Sequence, residues 1–191
     1  MVVTPPQYKS KKIRLNLFKS VIREALEAEH SSALNRRIIV YVGDDTERFD
    51  ELMNCFFSDK YRLCQRASWS VGDIAQKKPH LFEPYLERML KNLDTPKQHD
   101  AIKRNTMRVF KSLPEIPDDL LGLTADICFR YVTTPSVAVA IRAFAMRVLE
   151  KVCQKVPELK EELRLTIEDL MQYETQSAFV SAGREVLKKL K

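Results

Sequence analysis

Glycine is scarce, with four in 191 residues. A sandwich or barrel needs many tight turns, and glycine is the residue that makes them cheaply, so the shortage disfavours both architectures. Long apolar runs are also lacking. The opening stretch MVVTPPQYKSKKIRLNLFKSVIREALEAEH has no run of signal-peptide or membrane-span length, and Lys9, Lys11 and Lys12 precede an amphipathic segment. The expectation is a cytoplasmic chain with no membrane association. Cys55, Cys64, Cys128 and Cys153 are widely spaced and form no C-x-x-C pair. Buried, reduced thiols fit that spacing better than zinc ligands or a disulfide framework. His30, His80 and His99 stand singly, without the H-x-x-x-H pairing that puts two imidazoles on one metal. No glycine-rich phosphate loop, G-x-S-x-G elbow or Cys/His dyad occurs. Neither a metal nor another cofactor is expected, and no enzyme chemistry announces itself.

What is present favours helices. Charged residues make up 30% of the chain and apolar residues 45%, the balance of a soluble all-α protein. The length suits one domain, or one short array of repeats, with a substantial core. The net charge of +6 is spread along the chain with an excess at both ends, and a pI near 9.1 permits acidic peptide or nucleic-acid partners without demanding either.

A repeat emerges at a period that signals a solenoid. The triplet Ala67, Val71, Ile74 recurs at Thr106, Phe110, Leu113, then at Ala145, Leu149, Val152 and at Gly183, Leu187, Leu190, in steps of 39, 39 and 38 residues. One turn earlier in each copy sit Leu63, Ile102, Ile141 and Phe179, which extends each triplet into a four-position apolar stripe. The small residue at the triplet's head lets a neighbouring helix come close. Punctuation repeats too. Pro79, Pro117 and Pro157 each open a second apolar helix, where a missing N–H costs nothing. DTP at 94 to 96 is matched by TTP at 133 to 135, short turns that make consecutive helices antiparallel neighbours. Pro84 is expected to bend the helix in which it sits.

The pattern resembles the HEAT-repeat family: helix A with a proline in or near it, a short turn often containing Asp, then helix B with Arg-x-x-Ala-x-x-x-Leu. Arg142, Ala145 and Leu149 match that motif, Lys103, Thr106 and Phe110 follow it more loosely, and Cys64 takes the arginine slot ahead of Ala67. The resemblance covers residues 59–191. It implies an all-α, right-handed α–α superhelix of about four to five helix pairs, with 1–191 as a single domain. Within it, residues 1–58 supply capping helices and a degenerate repeat. A helix from about Ile13 to Glu29 forms the terminal cap, and Asp44 with Glu47 reads as a capping box for the second helix of RRIIVYVGDDTERFDELMNCFF.

Helical positions advance by ~100° per residue, so Trp69 and Asp73 lie ~200° and ~240° around from Ala67, away from the apolar stripe. The slots equivalent to Trp69 hold Arg108 and Arg147. In HEAT-like solenoids the B helices line the concave surface, so the resemblance implies a groove bearing Trp69, Asp73, Arg104, Arg108, Lys111, Arg147 and Lys151. The plainer alternatives are a solvated charged face at Arg104, Arg108 and Lys111, and a Trp69 ring that folds over Lys77 or a neighbouring helix as packing between repeats.

Three functions fit that surface. A non-catalytic scaffold would grip a protein or peptide segment, acidic partners included. A nucleic-acid binder would use the cations on phosphates and Trp69 as a stacking platform. The third rests on a partial similarity to HEAT-like alkylpurine DNA glycosylases, which set a tryptophan and an aspartate four residues apart on a concave helix, with a later arginine and further aromatics. Trp69 and Asp73 match the pair and Arg104 or Arg108 the arginine, while Arg147 stands where the next aromatic is expected. The scaffold is the preferred expectation.

Overall fold

The computed structural model describes residues 21–93 and 98–191, and among these residues every regular element is a helix. Helix α1 is described over residues 21–28, followed by α2 (Ser32–Val42), α3 (Thr46–Phe56) and α4 (Tyr61–Ala75). A 3-10 helix (Pro79–Tyr85) leads into α5 (Leu86–Leu93), and α6 (Asp100–Ser112) comes next. A second 3-10 turn (Asp118–Leu120) precedes α7 (Leu121–Thr133), α8 (Val139–Lys155), α9 (Leu159–Leu170) and α10 (Ser177–Lys189). The expected start of the first helix near Ile13, and the DTP turn at 94 to 96, lie outside the described residues. Contacts divide the chain into two compact units, one ending at Asp73 and the other beginning at Ile74, in the last turn of α4.

Local chemistry sets the helix ends. In the first unit Ser31 accepts a hydrogen bond from the Leu34 amide at 3.0 Å and starts α2. Gly43 stops α2 at φ 51°, a left-handed conformation that side chains resist, while its N–H reaches the Ile39 carbonyl. The capping box at Asp44 and Glu47 is corrected by one residue. Asp45 caps α3 by accepting from the Arg48 amide at 3.1 Å, and the residue three positions on is Arg48 rather than an acid. In the second unit His99 Nδ1 accepts from the Ala101 amide at 2.8 Å and caps α6.

Pro84 has a larger effect than a bend. Residues Pro79–Tyr85 run as a 3-10 helix, and α-helical geometry begins only at Leu86. A proline cannot donate to the carbonyl four residues back, and its ring crowds that carbonyl, so the tighter winding replaces the α ladder up to the proline.

The four-position stripe is the core. Leu63, Ala67, Val71 and Ile74 are buried in α4, as are Ile102, Thr106, Phe110 and Leu113 at α6 and Ile141, Ala145, Leu149 and Val152 in α8. In α10 Phe179 and Gly183 are buried while Leu187 and Leu190 are half-buried. Within the second unit α8 is central and packs on α6, α7 and α10. The small-residue slot behaves as expected at Gly183: a Cβ there would lie 2.7 Å from Met171 Sδ and 3.1 Å from Ile167 Cγ2, so α10 approaches α9 closely. All four cysteines are buried free thiols. Burial pushes Cys55 and Cys153 up to about 11 and Cys128 further still, which keeps them protonated and inert.

Arg142, the arginine of the HEAT-like motif, is 2% exposed. Its Nε donates to the Val132 carbonyl at 3.1 Å, near the end of α7, and its Nη1 donates to the Glu174 carboxylate between α9 and α10. The guanidinium carbon sits 4.3 Å from the Phe179 ring centroid. One side chain thus ties α7, the α9–α10 connection and α10 to α8.

Two outcomes are expected. Arg142→Ala should cost ~1–3 kcal/mol in chemical denaturation, because it leaves the buried Val132 carbonyl and the half-buried Glu174 carboxylate without their donor. The hydrogen bond from Arg142 holds the Glu174 carboxyl below its ordinary 4.5. Its stabilisation is therefore present above that value and lost as pH falls through the depressed folded value, and this acid-side loss should vanish in the variant. Separately, Gly183→Val should lower stability by ~1–3 kcal/mol through overpacking against Ile167 and Met171. An unchanged melting temperature would show that α9 and α10 do not meet at that glycine.

Candidate functional site

The residues singled out by the sequence fall in both units. Trp69 and Asp73 lie on α4 in the first unit, whereas Arg104, Arg108 and Lys111 on α6 and Arg147 and Lys151 on α8 lie in the second.

Neither Trp69 nor Asp73 is directed simply into solvent, which corrects the angular argument. Trp69 is half-buried, its ring edge-on to His30 with centroids 5.5 Å apart. The cleft it shares with Leu26, Leu34 and Arg66 has a volume of about 10 Å³, room for one water at most. Ser70, 1% exposed, donates to Asn35 Oδ1 at 2.7 Å, and Asn35, 7% exposed, donates through Nδ2 to Asp73 Oδ2 at 2.7 Å. The physical reason is that α4 buries more than one face. The apolar stripe marks one side, while a second, polar side carrying Ser70 and Asp73 is fastened to α2. A larger cleft of about 170 Å³ in this unit is lined by Leu26, Glu27, Lys60, Arg62, Leu63 and Arg66. Its cations are partly engaged, since Arg66 donates to the Glu27 carbonyl at 3.0 Å and Lys60 lies 3.4 Å from the Glu27 carboxylate.

The expected basic wall is divided in the second unit. Arg147 directs Nε and Nη2 to one oxygen of Glu185 on α10, each at 2.8 Å, and Nη1 to the Ala143 carbonyl at 3.2 Å. The hydrogen bond from Arg147 draws the Glu185 carboxyl below its usual range. Lys151 donates to the carbonyls of Lys111 at 2.7 Å, Phe110 at 3.4 Å and Leu113, closing the C-terminus of α6, where a cation complements the helix dipole. Burial lowers its pKa. Arg147 and Lys151 are therefore inter-helix fasteners.

Arg104 and Lys111 remain exposed on α6, and Arg108 is half-buried between them in sequence. Among the described residues Arg104 has no ionic partner. Lys111 Nζ lies 5.7 Å from the ring centroid of Phe144 on α8, which is half-buried, within cation–π range. Phe144 is the residue that the sequence reading missed. Its signal was a flank position one residue before Ala145, beside the stripe, where an aromatic can keep an exposed edge. No group of three or more His, Cys, Asp and Glu able to hold a metal occurs among the described residues. None of their helices is long and apolar enough to cross a membrane.

A helical-repeat fold with a charged, partly aromatic B-helix face defines the class of protein. The chain belongs to the HEAT repeat domain family, whose model matches residues 22–190. It is similar to a solved structure described as an engineered protein from the Northeast Structural Genomics Consortium, with a TM-score of 0.58, 10% sequence identity, and coverage of 97% of this chain and 95% of that one. At that identity the likeness concerns the fold alone. No curated protein matches the sequence.

Removing the Asp73 carboxylate tests its role as a fastener. Asp73→Ala leaves the Asn35 amide short of an acceptor and should cost ~1–3 kcal/mol in urea denaturation. If stability is unchanged, Asp73 does not hold α2 and α4 together.

Proposed function

We propose that this chain is a non-catalytic cytoplasmic scaffold that grips a protein segment on the B-helix face of its second unit, centred on α6 and α8. The observation that supports this reading most is the sorting of the basic residues. Arg147 and Lys151 fasten neighbouring helices together, while Arg104 and Lys111 stay exposed, Lys111 beside the half-buried ring of Phe144. Aromatic and arginine side chains on a rigid surface are the usual anchors of protein interfaces, because a ring offers contact area at little entropic cost and a guanidinium offers several donors in a fixed fork. A stack of short helices suits such a surface, since each repeat is held by its neighbours. Trp69 and Asp73 belong in this reading to the structure of the first unit, with the half-buried Trp69 ring as a secondary contact.

The test is quantitative affinity capture from the native cell's extract, with nuclease present, comparing wild type with Arg104→Glu combined with Lys111→Glu. Proteins recovered on wild type despite nuclease, and reduced at least tenfold on the variant, are the expected outcome. Recovery that depends on nucleic acid, or that ignores the variant, would remove the reading.

A further inference from the structure

The chemistry of this face narrows its partner, an inference that rests on the scaffold reading just given. We infer that the α6–α8 face takes a short acidic segment of a partner protein, whose carboxylates meet Arg104 and Lys111 and whose apolar side chain covers Phe144. Arg104 and Lys111 are seven positions apart on α6, nearly two full turns, so both project from the same side with ~10 Å of axial rise between them. A polyproline-II segment rises ~3.1 Å per residue with three residues per turn, so carboxylates three residues apart lie on one side of it and span about that distance. Phe144 lies beside Lys111. An apolar side chain next to the acid that meets Lys111 would cover the exposed part of the ring, and the ion pair would gain from the water excluded around it.

Charge complementarity also separates this partner from a nucleic acid. A phosphate backbone needs cations that continue along its track. Here the track is interrupted at α8. The next cations, Arg147 and Lys151, are bound within the protein, and carboxylates stand among them: Glu185 holds Arg147 at 2.8 Å, and Glu150 lies 3.4 Å from Lys189. A long polyanion crossing from α6 to α8 and α10 would meet negative charge, whereas a segment with two or three acids ends before it.

The probe is a fluorescein-labelled 12-residue peptide with glutamate at every third position and leucine between, measured by anisotropy beside its glutamine counterpart and a 20-base-pair DNA duplex. The acidic peptide should bind wild type, lose at least tenfold in affinity to Arg104→Glu combined with Lys111→Glu, and lose severalfold to Phe144→Ala. The glutamine peptide should bind at least tenfold more weakly. Arg104 is exposed, so Arg104→Glu alone should weaken the peptide severalfold with an unchanged helical circular-dichroism spectrum, a check that survives any misfolding of the Phe144 variant. No binding of the acidic peptide, equal binding of the glutamine peptide, indifference to Arg104→Glu, or tighter binding of the duplex would each overturn the inference. A protein captured on this face that ignores both salt and the acidic peptide would overturn the acidic segment alone and leave the scaffold reading standing.

Discussion

A guanidinium taken out of water needs partners inside the protein, and Arg142 finds a carbonyl, a carboxylate and an aromatic ring. Desolvating an unpaired charge costs several kcal/mol or more, so every group that Arg142 touches is constrained in position. The Val132 carbonyl sets where α7 ends, the Glu174 carboxylate sets the path of the chain between α9 and α10, and the Phe179 ring sets how α10 lies on α8. Arginine suits the task because its planar fork donates in several directions and its face stacks on an aromatic ring. The related positions do other work. Lys103 pairs with Asp100 of its own helix, and Cys64 donates to the Tyr61 carbonyl.

Around that buried contact runs a second order of fasteners on the outer parts of the helices. Arg147 reaches Glu185, Lys189 reaches Glu150, Lys151 reaches the end of α6 and Lys155 reaches Asp118. Each joins a residue to one roughly a repeat length away. Exposed pairs of this kind contribute little singly. Their consequence is functional, because they remove the α8 cations from the pool available to a ligand while Arg104 and Lys111 on α6 stay exposed. The α6–α8 face thereby presents a local basic spot in place of a continuous basic wall.

The first unit solves a different problem, that of a carboxylate inside it. Glu51 on α3 is 2% exposed and accepts from the Ile22 amide at 2.7 Å, while its other oxygen has no hydrogen-bond partner among the described residues. Burial raises its pKa, because the charged form loses its hydration, and the hydrogen bond from the Ile22 amide offsets part of that rise. A polar chain from Ser70 through Asn35 to Asp73 joins α2 and α4. Polar contacts buried between helices demand one register, since a shift by a turn would strand both donor and acceptor.

The period of the stripe, the prolines that open the A helices and the small residue at Gly183 were legible in the sequence, because each is local. Apolar spacing at helical intervals states which side of a helix is buried whatever covers it, and a proline limits its own backbone wherever it stands. The all-α repeat and the core positions from Leu63 to Val152 followed from that. The partners of charged side chains were not legible. Arg108 and Arg147 occupy equivalent slots, yet only the packing of α8 on α10 brings Glu185 to Arg147, and only the end of α6 draws Lys151 inward. The same holds for Trp69 and Asp73, which a single-helix wheel directs away from the core and which α1 and α2 partly cover. A sequence determines which residues seek burial through short-range periodicity. Which cations remain available for a partner is a question of distances between helices, and only the tertiary structure decides it.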